Sequence, residues 1–96
     1  MKFSNIVQFK PKSGEFENVI AILSEPLPFE GLIQNFIVKT SDDTCCAVGV
    51  WESESHIANA RPQMIQLLDT MRDKLDIVSE SDGVTAPLSG PIIFEG

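Results

Sequence analysis

The chain contains no tyrosine, one histidine, one tryptophan and two cysteines. Without tyrosine there is no phenol to serve as an acid or a hydrogen-bond partner. The lone histidine has no second histidine, and no cysteine or carboxylate set at ligand spacing, so no metal site is expected. Cys45 and Cys46 are adjacent; on a strand they point to opposite faces and cannot bridge each other. They read as small buried hydrophobes in a reducing compartment. Cations are also few, with seven Lys and Arg against fourteen Asp and Glu and a net charge of −7. The seven are scattered rather than clustered, which argues against a nucleic-acid surface. No apolar run approaches the ~20 residues that span a bilayer. No apolar leader with a cleavage site precedes the first patterned segment, so a cytoplasmic protein with no membrane partner is expected. A glycine-rich phosphate loop, a nucleophile elbow and a dinucleotide fingerprint are all missing, so phosphoryl transfer, acyl hydrolysis and nicotinamide chemistry have no support. No cofactor is expected.

What remains is ordinary globular material. At 96 residues, 43% hydrophobic and 22% charged, residues 1–96 make a single domain. Phe3 to Phe9 alternates, with Phe3, Asn5, Val7 and Phe9 on one face and Ser4, Ile6 and Gln8 on the other, as in a half-buried strand. Pro11 is expected to end it. A helix follows Ser13-Gly14, carrying Phe16, Val19, Ile20 and Leu23 as one apolar stripe, and Pro26 and Pro28 stop it. Gly31 opens a second strand, Leu32 to Thr40. The turn Ser41-Asp42-Asp43 joins it to a third, Thr44 to Trp51, which is apolar almost throughout and reads as a central strand. Gly49 within it lets a neighbouring group approach the backbone closely.

Ser53 is placed to cap the next helix. Pro62 is expected to divide that helix into a short piece, Glu54 to Ala60, and a longer one. The longer piece buries Met64, Leu67, Leu68, Met71, Leu75 and Val78 and wets Gln63, Gln66, Asp69, Arg72 and Asp73. Thr85 to Pro91 reads as an irregular link before a last strand, Ile92-Ile93-Phe94. The element order predicts an α+β fold, a ferredoxin-like βαββαβ unit. Its four-stranded antiparallel sheet has strand order 4-1-3-2 and both helices on one face. Strand two carries apolar groups on both sides, Leu32, Phe36 and Val38 on one and Ile33 and Ile37 on the other. Helices cover only one side of the sheet, so a homodimer with two sheets face to face is expected.

Three stretches resemble the dimeric α+β barrel superfamily, and within it the antibiotic-biosynthesis-monooxygenase-like domains. They are Pro11-Lys12-Ser13-Gly14, Phe29-Glu30-Gly31-Leu32 and, most of all, Val48-Gly49-Val50-Trp51-Glu52-Ser53-Glu54-Ser55. The resemblance implies two ferredoxin-like protomers forming a barrel, with a pocket between sheet and helices. It also implies the chemistry found among members, which includes oxidation of aromatic polyketides by dioxygen without a cofactor. Haem-degrading relatives carry an Asn on strand one, which Asn5 matches. Their Trp and His farther along helix two have no counterpart near Ala60 or Thr70.

Four residues are candidates for a site. Asn5, an amide among apolar neighbours, is a candidate catalytic group that stabilises charge developing on oxygen; its alternative is a bond to nearby backbone. His56 is a candidate proton acceptor, and otherwise a surface residue. Trp51 is a candidate substrate-binding wall, and otherwise a core anchor. Arg61 is a candidate substrate-binding cation for a carboxylate or enolate, and otherwise solvated. Two functions stand. One is a homodimer with a pocket for a small aromatic or hydrophobic molecule, working as a cofactor-independent monooxygenase. The other is a non-catalytic dimer for assembly or ligand sensing.

Overall fold

Alternation produces the first strand as expected, but that strand runs on past Phe9 into Pro11. The computed structural model describes residues 1–25 and 27–96. Its elements are β1 (Phe3–Pro11), α1 (Phe16–Leu23), β2 (Leu32–Lys39), β3 (Cys45–Trp51) and α2 (Glu54–Asp69). A 3₁₀ turn (Arg72–Lys74), β4 (Leu75–Asp76) and β5 (Thr85–Pro91) complete the chain. The five strands form one sheet in the order β2-β3-β1, with β5 beside residues 3–9 of β1 and β4 beside Lys10 and Pro11. Every pairing is antiparallel. The predicted order 4-1-3-2 therefore holds with β5 as the fourth long strand.

Besides the faces of β2, where a register shift between Leu32 and Gln34 puts Leu32 on the helix side, opposite Phe36 and Val38, four expectations are corrected. First, the sheet has five strands, because the two-residue β4 adds to the four expected. Second, the last strand is Thr85–Pro91, not Ile92-Ile93-Phe94. Its two prolines made it read as a link, yet β5 is an edge strand, where proline is tolerated if its nitrogen faces outward. The Ile92 amide donates to Lys2 O at 2.9 Å, so residues of that parity point toward β1, and Pro87 and Pro91 point away.

Third, α2 is a single helix with Pro62 inside it. Pro62 and Ala58, the residue whose carbonyl loses its amide partner, are both solvent-exposed, so water meets the orphaned acceptor. The proline still weakens the helix. Pro62→Ala is expected to raise unfolding free energy by about 1–2 kcal/mol, after allowing for the stiffer unfolded chain that proline gives; urea unfolding measures this, and an unchanged midpoint would show that the helix tolerates the missing bond freely. Fourth, α2 stops at Asp69, so the buried Met71 and Leu75 sit on the following turn and β4 instead of on the helix. Helix α1 ends at Leu23, where the Ser24 amide and hydroxyl both donate to Ile20 O. Pro26, expected to stop it, lies outside the described residues.

The predicted turn forms through its side chains. Ser41 Oγ accepts the amides of Asp43 (3.4 Å) and Thr44 (3.2 Å), while the hydroxyls of Ser41 and Thr44 each donate to Asp43 Oδ1 at 3.0 Å. The hydroxyl of Thr44, then that of Ser41, then Lys10, hold the Asp43 carboxyl below its usual range.

The core comes in two parts, both on the helix side of the sheet. Phe9, Val19, Cys45, Met71 and Leu75 form one; Trp51, Ile57 and Ala60, with Phe29, Leu32 and Met64 packed on them, form the other. Cys45 is buried and Cys46 lies on the opposite face, as expected, and both are free. Burial pushes the Cys45 thiol up. The helix-free face is apolar along a row that crosses the four long strands. Phe36 pairs with Val48, Val48 with Ile6, and Ile6 with Leu88. Phe36 is 42% and Leu88 70% exposed. Among the described residues no helix is long and apolar enough to cross a membrane.

Candidate functional site

Strand register builds the site. Phe3 pairs with Trp51 and Asn5 with Gly49, so Asn5 and Trp51 are diagonal neighbours on the helix side. Between them stands a residue with no side chain. The Trp51 indole N–H reaches across and donates to Asn5 Oδ1 at 2.6 Å. A Cβ at Gly49 would overlap Asn5 Oδ1 and lie 2.8 Å from Trp51 Nε1. The close approach expected at Gly49 is therefore made by this pair. Behind it, Ser4 Oγ donates to Gly49 O at 2.9 Å from the other face. Trp51 is 1% exposed and stacks on Phe29, with ring centroids 6.0 Å apart.

That one bond fixes how Asn5 is oriented. Indole N–H is a donor only, so the amide oxygen must face Trp51 and the amide nitrogen must face away. Among the described residues the Asn5 Nδ2–H₂ group has no hydrogen-bond partner, and it is not among buried unsatisfied atoms. Asn5 stands in the wall between two spaces. The inner one, about 90 Å³, is apolar and lies where the two parts of the core fail to meet, with Phe9 and Met71 on one side and Phe29 and Leu32 on the other. The outer one, about 400 Å³, runs between α2 and β5, from Ile57, Arg61 and Ile65 to Thr85, Pro87 and Ser89. Asn5, Val7, Met64 and Leu68 line both.

The four sequence candidates separate in space. Asn5 and Trp51 share the inner space, and Asn5 and Arg61 share the outer cleft. His56 lines neither; it borders a third cleft of about 290 Å³ with Glu30, Asn59 and Gln63. There it belongs to the helix cap. Ser53 Oγ accepts the His56 amide at 3.4 Å and stands 2.7 Å from His56 Nδ1, while Nε2 is 3.9 Å from Glu52. Its ring packs against Gly31, which has a φ of +83° and no room for a Cβ.

Arg72, Thr85 and Ser89 complete the outer cleft and were not among the sequence candidates. Arg72 read as a solvated helix residue. Its position three residues after Asp69 was the available signal, since Arg72 Nε donates to Asp69 Oδ1 at 2.6 Å. Among the described residues no cluster of His, Cys, Asp or Glu is arranged to hold a metal ion.

No family model matches the chain, and no curated protein matches it in sequence. Solved structures do match in fold. A protein from Chloroflexus aurantiacus that bears the name antibiotic biosynthesis monooxygenase superposes with a TM-score of 0.71 at 15% identity, over 100% of this chain and 97% of its own. SnoaB from Streptomyces nogalater, a cofactor-independent oxygenase, gives 0.68 at 13% identity over 98% and 95%. A dimeric ferredoxin-like protein from an uncultured marine organism gives 0.71 at 15% identity over 99% and 90%.

Proposed function

We propose, from the premise that this chain has the antibiotic-biosynthesis-monooxygenase-like, dimeric α+β barrel fold, that it is a cytoplasmic homodimer that oxygenates a small aromatic or hydrophobic molecule without a cofactor. The observation that carries this reading is the Asn5 amide. Its oxygen is committed to Trp51, its Nδ2–H₂ is unbonded among the described residues, and Asn5 lines a cleft of about 400 Å³. A space of a few hundred Å³ suits a ligand of a few rings. A fixed donor costs no reorganisation when negative charge develops on oxygen beside it.

For an anthrone, the ring enolate supplies the electrons. Two C–H bonds at the ring methylene break, one oxygen atom of dioxygen becomes the new ketone, and the other leaves as water with the two hydrogens. Asn5 Nδ2–H₂ stabilises the oxyanion, and Trp51 holds Asn5 in place. His56, which borders a different cleft, takes no part in this step.

Among the described residues that line the outer cleft, arginine is the only titratable type, with no His, Asp, Glu, Cys or Lys. That favours a second reading, a ligand-sensing dimer with no turnover. Oxygen uptake with anthrone and hydroquinone-like compounds separates the two. Asn5→Asp keeps the acceptor for Trp51 and removes the donor, so uptake is expected to fall roughly 10²-fold with the fold intact. Equal rates would remove Asn5 from the mechanism, and no uptake by the wild type with any such compound would leave the sensing reading.

A further inference from the structure

The charge around the outer cleft runs against that of the chain. The protein carries −7 overall, yet among the described residues the only charged side chains lining this cleft are Arg61 and Arg72. The two differ in what holds them. Arg72 is bound through Nε to Asp69 at 2.6 Å and through Nη1 to Thr85 Oγ1 at 3.5 Å, so its charge is largely answered within the protein. Arg61 has no ion pair or hydrogen bond among the described residues. Beside it on α2 are Met64 and Leu68, and the sheet side of the cleft adds Val7, Pro87 and Asn5.

From this arrangement we infer that the cleft takes an amphipathic monoanion, a planar apolar body with its oxyanion on the Arg61 guanidinium. The apolar groups bury the rings, and Arg61, with fixed N–H donors in a plane, suits a carboxylate or an enolate. An unpaired arginine beside a largely apolar cleft also raises the local concentration of anions on a protein that otherwise repels them. The inference rests on the pocket reading proposed above and adds to it the charge of the ligand. It also explains how a cleft with no base works on an enolisable compound: the ligand arrives ionised, or Arg61 stabilises the ionised form.

The test compares 1-naphthoate with 1-naphthalenemethanol, the same rings with and without the charge, by titration calorimetry on the wild-type protein. Naphthoate is expected to bind about ten-fold more tightly, and more weakly as salt rises. Arg61→Gln closes the gap between the two ligands, whereas Lys39→Gln, which removes the same charge at an exposed position on β2, at the sheet edge away from β5, leaves it open. Equal binding of the two ligands to the wild type, or a gap that survives Arg61→Gln, overturns the inference and leaves the pocket reading standing. Binding of neither overturns both.

Discussion

Gly49→Val lowers the unfolding midpoint by roughly 15–30 °C, from a loss of about 3–5 kcal/mol. Its first added carbon would overlap Asn5 Oδ1 and come within 2.8 Å of Trp51 Nε1, and the buried indole has nowhere to go. Trp51 is stacked on Phe29 and packed with Ile57 and Ala60 in the second part of the core. Either the strands part or the Asn5–Trp51 bond breaks, and the latter leaves a buried indole N–H without an acceptor. Overpacking and a lost buried bond then add. Gly49→Ala costs less, and less still in an Asn5→Ala background if the clash with Asn5 is the cause. Thermal unfolding of the four proteins measures the coupling, and strictly additive losses would show that Gly49 matters for some other reason.

Val48→Asp is expected to convert the proposed dimer to monomer, weakening association by about 10³-fold. Val48 lies within the apolar row that crosses the sheet, between Phe36 on β2 and Ile6 on β1. Two sheets meeting on this face would bury the new carboxylate with its symmetry mate nearby, and among the described residues the rows next to it, through Cys46 and Gln8 and through Val50 and Ser4, hold no cation. The helix side of the sheet is untouched, so the monomer stays folded. Sedimentation velocity reads the difference: a wild-type species of twice 10.6 kDa and a variant species of 10.6 kDa at the same concentration. A wild type that is monomeric at tens of micromolar would remove the proposed dimer.

The parts of this fold legible in the sequence are those set by local pattern. Alternation placed β1, the i, i+3, i+4 stripe placed α1, and Ser53 announced the start of α2. The errors fell where tertiary context overrides a local rule. Prolines disqualified β5 only on the assumption that its amides were needed, and an edge strand needs just half of them. Pro62 breaks a helix unless the freed carbonyl can reach water, and Ala58 is exposed. The site was half legible. Asn5 stood out as an amide on an apolar face, and Gly49 and Trp51 as a small residue and a large one on the same strand. Joining them required the β1–β3 register, which no single stretch contains. Arg72 was hidden for a similar reason: its partner Thr85 comes from the far edge of the sheet.

The geometry at Asn5 carries the rest, and side-chain amide and indole resonances of ¹⁵N-labelled protein report on it directly. The Trp51 indole proton is expected to exchange slowly with water and to hold its position as 1-naphthoate is added, while the Asn5 Nδ2 protons exchange quickly when free and shift on binding. A ligand that moves the indole resonance and leaves the Asn5 amide unaffected would mean that the amide does not face the cleft, and the proposed site would be wrong.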